Sequence, residues 1–161
     1  MKKLFIIRHA KSSWKDLSLK DFDRPLNKRG KSNVPMMGKK LLEKGILPDL
    51  IISSPALRAL TTAKKLAKDI GYDEKILYNK DIYEADEETL HLMLINVDDI
   101  NDTIFLIGHN PDLNCLAEKY VDFDENIPTL GIVEIEFHCD SWKKISSKNA
   151  FLISFDYPKR S

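Results

Sequence analysis

Apolar residues run unbroken over 4–7, LFII, and stop at Arg8. A block that short, with lysines before it and polar groups after it, predicts a strand buried on both faces over 2–7. Residues 11–26 read as a charged loop containing Ser12, Ser13, Trp14, Asp16 and Asp23. Asn27 then offers an N-cap, and Val34, Met37, Leu41 and Leu42 fall at helical spacing. Gly30 and Pro35 are expected to make the start of that helix irregular. It should stop near Lys44-Gly45 with Gly45 as a left-handed cap, and Pro48 keeps it stopped. Residues 49–53, DLIIS, predict a second strand. At Ser54-Pro55 the serine is expected to cap a helix and the proline to take its first turn. Leu57, Leu60, Ala63, Lys64, Leu66, Ala67 and Ile70 form its predicted stripe, and Gly71 ends it.

A short strand over 75–78 and an irregular segment over 82–85 follow, and Asp86 caps a helix bearing Leu90, Met93, Leu94 and Val97. Residues 102–107, DTIFLI, predict a buried strand, and GHNP at 108–111 turns the chain into a helix with Leu113, Leu116, Ala117 and Tyr120. After an acidic loop over 122–128, residues 131–137 alternate apolar and acidic, the pattern of a strand with one exposed face. Residues 150–155 form the last strand. Strands alternate with helices for most of the length, which predicts an α/β fold: three layers, α/β/α, around a mostly parallel sheet. The last two strands have no helix between them and read as a hairpin, an antiparallel pair at one edge. The 161 residues suit one domain spanning 1–161.

Composition narrows the function classes. Twenty-five basic residues balance twenty-five acidic ones, so no global field draws in nucleic acid or a membrane surface. Any anion site must be built locally. Cys115 and Cys139 show no metal-type spacing and no disulfide framework, so a reducing compartment is expected. Cys115 reads as a core residue, and His91 and His138 as ordinary histidines. The apolar run near the N-terminus is too short for a signal-peptide core, which together with the thiols predicts a cytoplasmic protein.

Chemistry-bearing residues gather at three strand ends. Arg8-His9 ends the first strand, Ser53-Ser54-Pro55 the second, with Arg58 one turn into the next helix, and Gly108-His109-Asn110-Pro111 the fourth. Ligands in open parallel sheets bind beyond the carboxyl ends of the strands. Alone, an Arg-His pair is as well explained as the polar end of a strand, Arg58 as a solvated helix residue and His109 as a turn histidine. Together they make two guanidiniums and two imidazoles beside helix N-termini, a set suited to a tetrahedral oxyanion such as phosphate.

RHAKSSW, DRPLNKRG, SSPALRALTTA, IYEAD and GHNPDL, in that order, resemble the histidine phosphatase superfamily, the phosphoglycerate mutase-like fold, and most nearly its small SixA-type phosphohistidine phosphatases. The family's RHG element is RHA here, with Ala10 in place of glycine, as the SixA-type branch also has. The resemblance implies that His9 is a nucleophile that becomes phosphorylated. It implies that Arg8, Arg58 and His109 hold the phosphoryl oxygens, and that Glu84 serves as general acid, with no metal or cofactor. Glu84 also fits a solvated acidic run with Asp81, Asp86, Glu87 and Glu88. Ser12, Arg24 and Asn110 are candidate phosphate or substrate contacts. Ser12 serves equally to cap a turn, and Arg24 to pair with Asp21 or Asp23. Trp14 reads as loop packing or a platform at the mouth.

Twenty-five positions separate Glu84 from His109, filled by one helix and one strand, with no room for a lid domain. An open pocket favours a phosphoryl group displayed on another protein over a small molecule. Phosphohistidine on a protein is therefore the first expected substrate, and a small phosphomonoester the alternative. A mutase, which must shield its phosphoenzyme from water, fits less well. A catalytically inactive phosphate-binding scaffold is the reading from a different class, and the presence of all four pocket residues speaks against it.

Overall fold

The computed structural model describes residues 1–159. Six strands form one sheet: β1 (Lys2–Arg8), β2 (Leu50–Ser53), β3 (Leu77–Tyr78), β4 (Thr103–Gly108), β5 (Ile132–Phe137) and β6 (Ala150–Asp156), in the order β3-β2-β4-β1-β5-β6. The β3-β2, β2-β4 and β4-β1 pairs are parallel, whereas β1-β5 and β5-β6 are antiparallel. The mostly parallel sheet with an antiparallel edge is as expected. The antiparallel part begins one strand earlier than the hairpin alone implies, because β5 itself runs against β1.

Successive side chains of a strand point to opposite faces. Leu4 and Ile6 of β1 and Ile104 and Leu106 of β4 enter one core, while Phe5, Ile7, Phe105 and Ile107 enter the other. That is why both strands read as unbroken apolar runs. Helices α1 (Lys28–Glu43) and α2 (Leu57–Ile70) cover one face, and α3 (Glu87–Ile95) and α4 (Asp112–Tyr120) the other. Among the described residues no helix is long and apolar enough to cross a membrane.

Local signals act largely as the sequence predicts. The Asn27 side chain accepts from the Gly30 amide at 2.8 Å, Asp86 caps α3 by accepting from Thr89, and Gly45 adopts φ +70° just beyond α1. Helix α1 continues through Pro35 without a break. Gly30 is required by a close approach: a Cβ there would lie 2.2 Å from the Lys11 carbonyl oxygen, in the loop that leaves β1.

Other expectations fail for identifiable reasons. Helix α2 starts at Leu57, with no side-chain cap, rather than at Ser54-Pro55. Ser54 Oγ accepts instead from the Ala56 amide at 3.2 Å and lies 2.8 Å from His109 Nε2. The buried stripe of α2 is Ala59, Thr62, Ala63, Leu66, Ala67 and Ile70, with Arg58 at its head, and Leu57 is exposed. Cys115 is only half-buried, on the rim of α4 rather than in the core. His91 is held by the Tyr120 hydroxyl at 2.6 Å, and His138 pairs with Glu136. The unassigned segment before β6 hides Trp142, fully buried, whose indole donates to the Asn101 carbonyl at 2.6 Å. That carbonyl also accepts from the buried Lys2 ammonium, at the end of the sheet opposite the strand ends discussed next.

Candidate active site

Parallel pairing brings the carboxyl ends of β1, β2 and β4 to one edge of the sheet. Arg8 is in register with Gly108, and Ser53 with Ile107. The residues just beyond are therefore neighbours: His9 and His109 have ring centroids 5.2 Å apart. The backbone here is tied from three sides. The His9 amide donates to the Gly108 carbonyl at 3.1 Å, and Leu130 N donates to the carbonyls of Arg8 and His9. The Ala10 amide donates to Thr62 Oγ1 at 3.0 Å, and Thr62 in turn donates to the Arg58 carbonyl. Thr62 thus couples the end of β1 to α2, a link that no spacing rule reveals.

Arg8, His9, Arg58 and His109 line one cleft of about 400 Å³, together with Ser12, Trp14, Arg24 and Asn110. His9, Arg58 and His109 are each 6–7% exposed. His9 Nδ1 lies 2.7 Å from the Ala10 carbonyl oxygen. A carbonyl only accepts, so Nδ1 carries the hydrogen and the neutral ring keeps its lone pair on Nε2. Burial first, then the charges of His109, Arg58 and Arg8, push the His9 pKa down to about 3 against the opposing Ala10 hydrogen bond. His109 is pushed down to about 4, by burial first and then Arg58, with Arg8 and Arg24 adding and Asp21 opposing. Both imidazoles are neutral at physiological pH.

Each arginine is held to the protein by its terminal nitrogens. Arg8 Nη1 donates to the Ile127 carbonyl at 3.0 Å, and Arg58 Nη1 and Nη2 donate to the Asp21 carbonyl and Oδ2 at 2.6 and 2.9 Å. Four buried side-chain nitrogens and oxygens lack a hydrogen-bond partner among the described residues, and three of them are Arg8 Nε, Arg58 Nε and His109 Nδ1. Buried polar atoms are seldom left unpaired. Three converge on one cleft, and two of them are guanidinium donors, which suit an anion.

The other predicted residues fall around this centre in different ways. Arg24 lines the cleft and also pairs with Asp21, its Nη1 donating to Ser12 Oγ at 2.7 Å, so Ser12 and Arg24 satisfy each other in the wall. The Trp14 ring stacks on the Arg24 guanidinium, 3.6 Å from centroid to Cζ, and is mostly exposed. Asn110 lines the cleft, but its amide nitrogen donates to Asn114 Oδ1 and the Ile127 carbonyl. Its contacts hold the turn after β4 against the acidic loop. Glu84 lies in an adjoining cleft of about 390 Å³, shared with Asp21, Arg58, Tyr83 and His109. Among the described residues it is one of two non-glycines with positive φ, +59°, a conformation that costs energy and concentrates at functional sites. Tyr83 packs edge-on against His109, centroids 5.5 Å apart. Sequence reasoning missed Thr62 and Tyr83; it placed Ser54 at a strand end but as a helix cap, and had Asp21 only as one of two partners for Arg24. Only Ser54, in the SSP run, carried a local signal. No group of three or more His, Cys, Asp or Glu among the described residues is placed to hold a metal ion.

Comparison with known proteins places the chain in a family. Residues 4–93 match the sequence profile of the Histidine phosphatase superfamily (branch 1). An uncharacterized chloroplastic protein of Arabidopsis thaliana is 32% identical over 153 residues, covering 89% of this chain and 70% of that one. The crystal structure of an Agrobacterium tumefaciens protein assigned as the phosphohistidine phosphatase SixA superposes with a TM-score of 0.81 at 27% identity, over 98% of this chain and 99% of its own. The protein histidine phosphatase SixA complexed with tungstate superposes with a TM-score of 0.83 at 17% identity, over 97% of each chain, a likeness of fold.

Proposed function

This chain belongs to the histidine phosphatase superfamily, and on that premise we propose that it hydrolyses phosphohistidine carried on another protein, through a phosphoryl group held transiently on His9. The observation that carries the reading is the convergence of three unpaired buried nitrogens, Arg8 Nε, Arg58 Nε and His109 Nδ1, beside a neutral imidazole whose free lone pair is on Nε2. In this reading His9 Nε2 attacks phosphorus. The equatorial oxygens, where negative charge sits in the transition state, are received by the two guanidiniums and by His109. With the Ser54 hydroxyl, 2.8 Å away, donating to His109 Nε2, the ring hydrogen is on Nδ1 and free for a phosphoryl oxygen. Water then displaces the phosphoryl group from His9, and the two steps replace one harder displacement.

The shape of the site supports this choice of substrate. Only α3 and β4 occupy the chain between the Glu84 segment and His109, and the cleft stays open to a phosphoryl group presented by a protein. A second reading, a small phosphomonoester, is favoured by one observation: Glu84 in the adjoining cleft, within the space a leaving group would take. An alkoxide needs a proton on departure, whereas imidazole, with a pKa of about 6.5, leaves with less help. The test is turnover of a phosphohistidine-bearing carrier protein against a panel of phosphomonoesters, for wild type and His9→Ala. Higher efficiency on the carrier, abolished by His9→Ala, is expected. Higher efficiency on the small esters would reverse the ranking, and activity unaffected by His9→Ala would remove the mechanism.

A further inference from the structure

The loop between β1 and α1 lines the cleft through Ser12, Trp14 and Arg24, and another of its residues touches three residues of the site. Asp21 accepts from Arg58 twice, through its main-chain carbonyl at 2.6 Å and through Oδ2 at 2.9 Å. The same Oδ2 accepts from the Tyr83 hydroxyl at 2.7 Å, and Oδ1 accepts from Arg24 Nε at 3.1 Å. Phe22, the next residue, packs edge-on against the Tyr83 ring, 5.2 Å between centroids. These contacts join the loop, the head of α2 and the segment that carries Glu84. The carboxyl is a true anion: burial alone raises its pKa, but hydrogen bonds from Tyr83, Arg58 and Arg24 overturn that and hold it at about 2.

A guanidinium offers two edges for paired hydrogen bonds. The end-on edge, Nη1 with Nη2, is the one Asp21 grips. The side-on edge is Nε with the second hydrogen of Nη2, and Arg58 Nε is buried with no partner. Asp21 and a phosphoryl oxygen therefore use different hydrogens of the same group. Arg8 is built alike: Nη1 is anchored to the Ile127 carbonyl and Nε is unpaired. A long, flexible side chain anchored at one edge has lost its freedom before the substrate arrives, and the other edge is preorganised to receive charge.

We propose that Asp21 is a positioning residue: it grips the Arg58 fork from the end so that the side-on edge faces the reacting phosphorus, and through Tyr83 it holds the Glu84 segment against the same site. The inference rests on the phosphoryl reading of the cleft. It gives the loop over 11–26 a role in the reaction, with no direct contact between Asp21 and substrate.

The opposite role, a resident carboxylate competing with the substrate for Arg58, predicts the opposite sign, so affinity for orthophosphate decides. Calorimetry at millimolar phosphate is compared for wild type, Asp21→Ala, Asp21→Asn, Arg58→Ala and the Asp21→Ala/Arg58→Ala double variant. Asp21→Ala is expected to weaken binding about tenfold or more, since small misplacements of such groups cost that much. Asp21→Asn, whose amide oxygen still accepts from Arg58 and Tyr83, should recover most of the loss. In the Arg58→Ala background, removing Asp21 should change the affinity for orthophosphate less than about twofold, because the guanidinium it aims at the anion is gone. Equal or tighter binding by Asp21→Ala overturns the proposal. So does an equal loss in both backgrounds, the signature of a loop that has merely lost its fold. Wild-type protein that binds no orthophosphate would remove the phosphoryl reading and the clamp with it. A phosphate-binding wild type with an indifferent Asp21→Ala removes the clamp alone.

Discussion

Lowering the pH from 7 to 5 should destabilise this protein through two residues, His9 and His109. Folding pushes their pKa values down to about 3 and about 4. In the unfolded chain each returns to about 6.5. Below that value the unfolded state binds protons that the folded state refuses, so stability is full above pH 6.5 and is lost as the pH falls toward the folded values. Integrated from pH 7 to 5, each histidine contributes about 2 kcal/mol, and the pair at most roughly 4 kcal/mol, a large share of the stability of a domain this size. Both rings are 7% exposed, so solvent screens little of this. His91 shifts in the same direction and leaves a small residual slope. Urea unfolding at pH 7, 6 and 5 measures the effect, with the fully buried Trp142 as a fluorescence probe. The unfolding free energy should fall by several kcal/mol in wild type. His9→Gln and His109→Gln should each remove close to half of that slope, whatever they do to stability at pH 7. A wild-type curve that is flat between pH 7 and 5, or a double variant that keeps the full slope, would refute the reasoning.

Three further outcomes follow from the same geometry. Arg8→Ala removes an anchored guanidinium from the phosphoryl cleft and should lower kcat/KM by about 10²–10³-fold, read in steady-state kinetics. Glu84→Gln should slow hydrolysis of alkyl phosphates by about 10²-fold and leave phosphohistidine turnover within about tenfold, because only the alkoxide needs the proton. Gly30→Ala forces a Cβ onto the Lys11 carbonyl and should cost about 1–3 kcal/mol in urea unfolding.

The four central residues were legible because each follows a buried strand or opens a helix, and such strands announce themselves as short apolar runs. Once the strands are parallel, their ends must meet, and residues 8, 9, 58 and 109 share a cleft. The hydrogen bonds that hold them were not legible, because most of the partners lie on loops without a period. Asp21 reaches residues 37 and 62 positions away, and nothing in KDFDR marks it out from its acidic neighbour Asp23. The same holds for the Ile127 carbonyl that anchors Arg8: a backbone oxygen has no sequence signature. Ser54 misled for a chemical reason. A serine before a proline is a ready cap, yet here its hydroxyl faces His109, and the helix waits until Leu57. Leu57 fits the apolar spacing of α2 but is its first residue and stays exposed, while Ala63, Leu66, Ala67 and Ile70 of the same stripe are buried.

The account turns on His9 carrying the phosphoryl group, and that is measured most directly by quenching a turning-over sample at alkaline pH and mapping phosphorylation by mass spectrometry. One phosphoryl group on the His9 imidazole is expected, attached at Nε2, labile to acid and missing from His9→Ala. Sustained hydrolysis with no phosphorylated His9, or with the group on any other side chain, would contradict it.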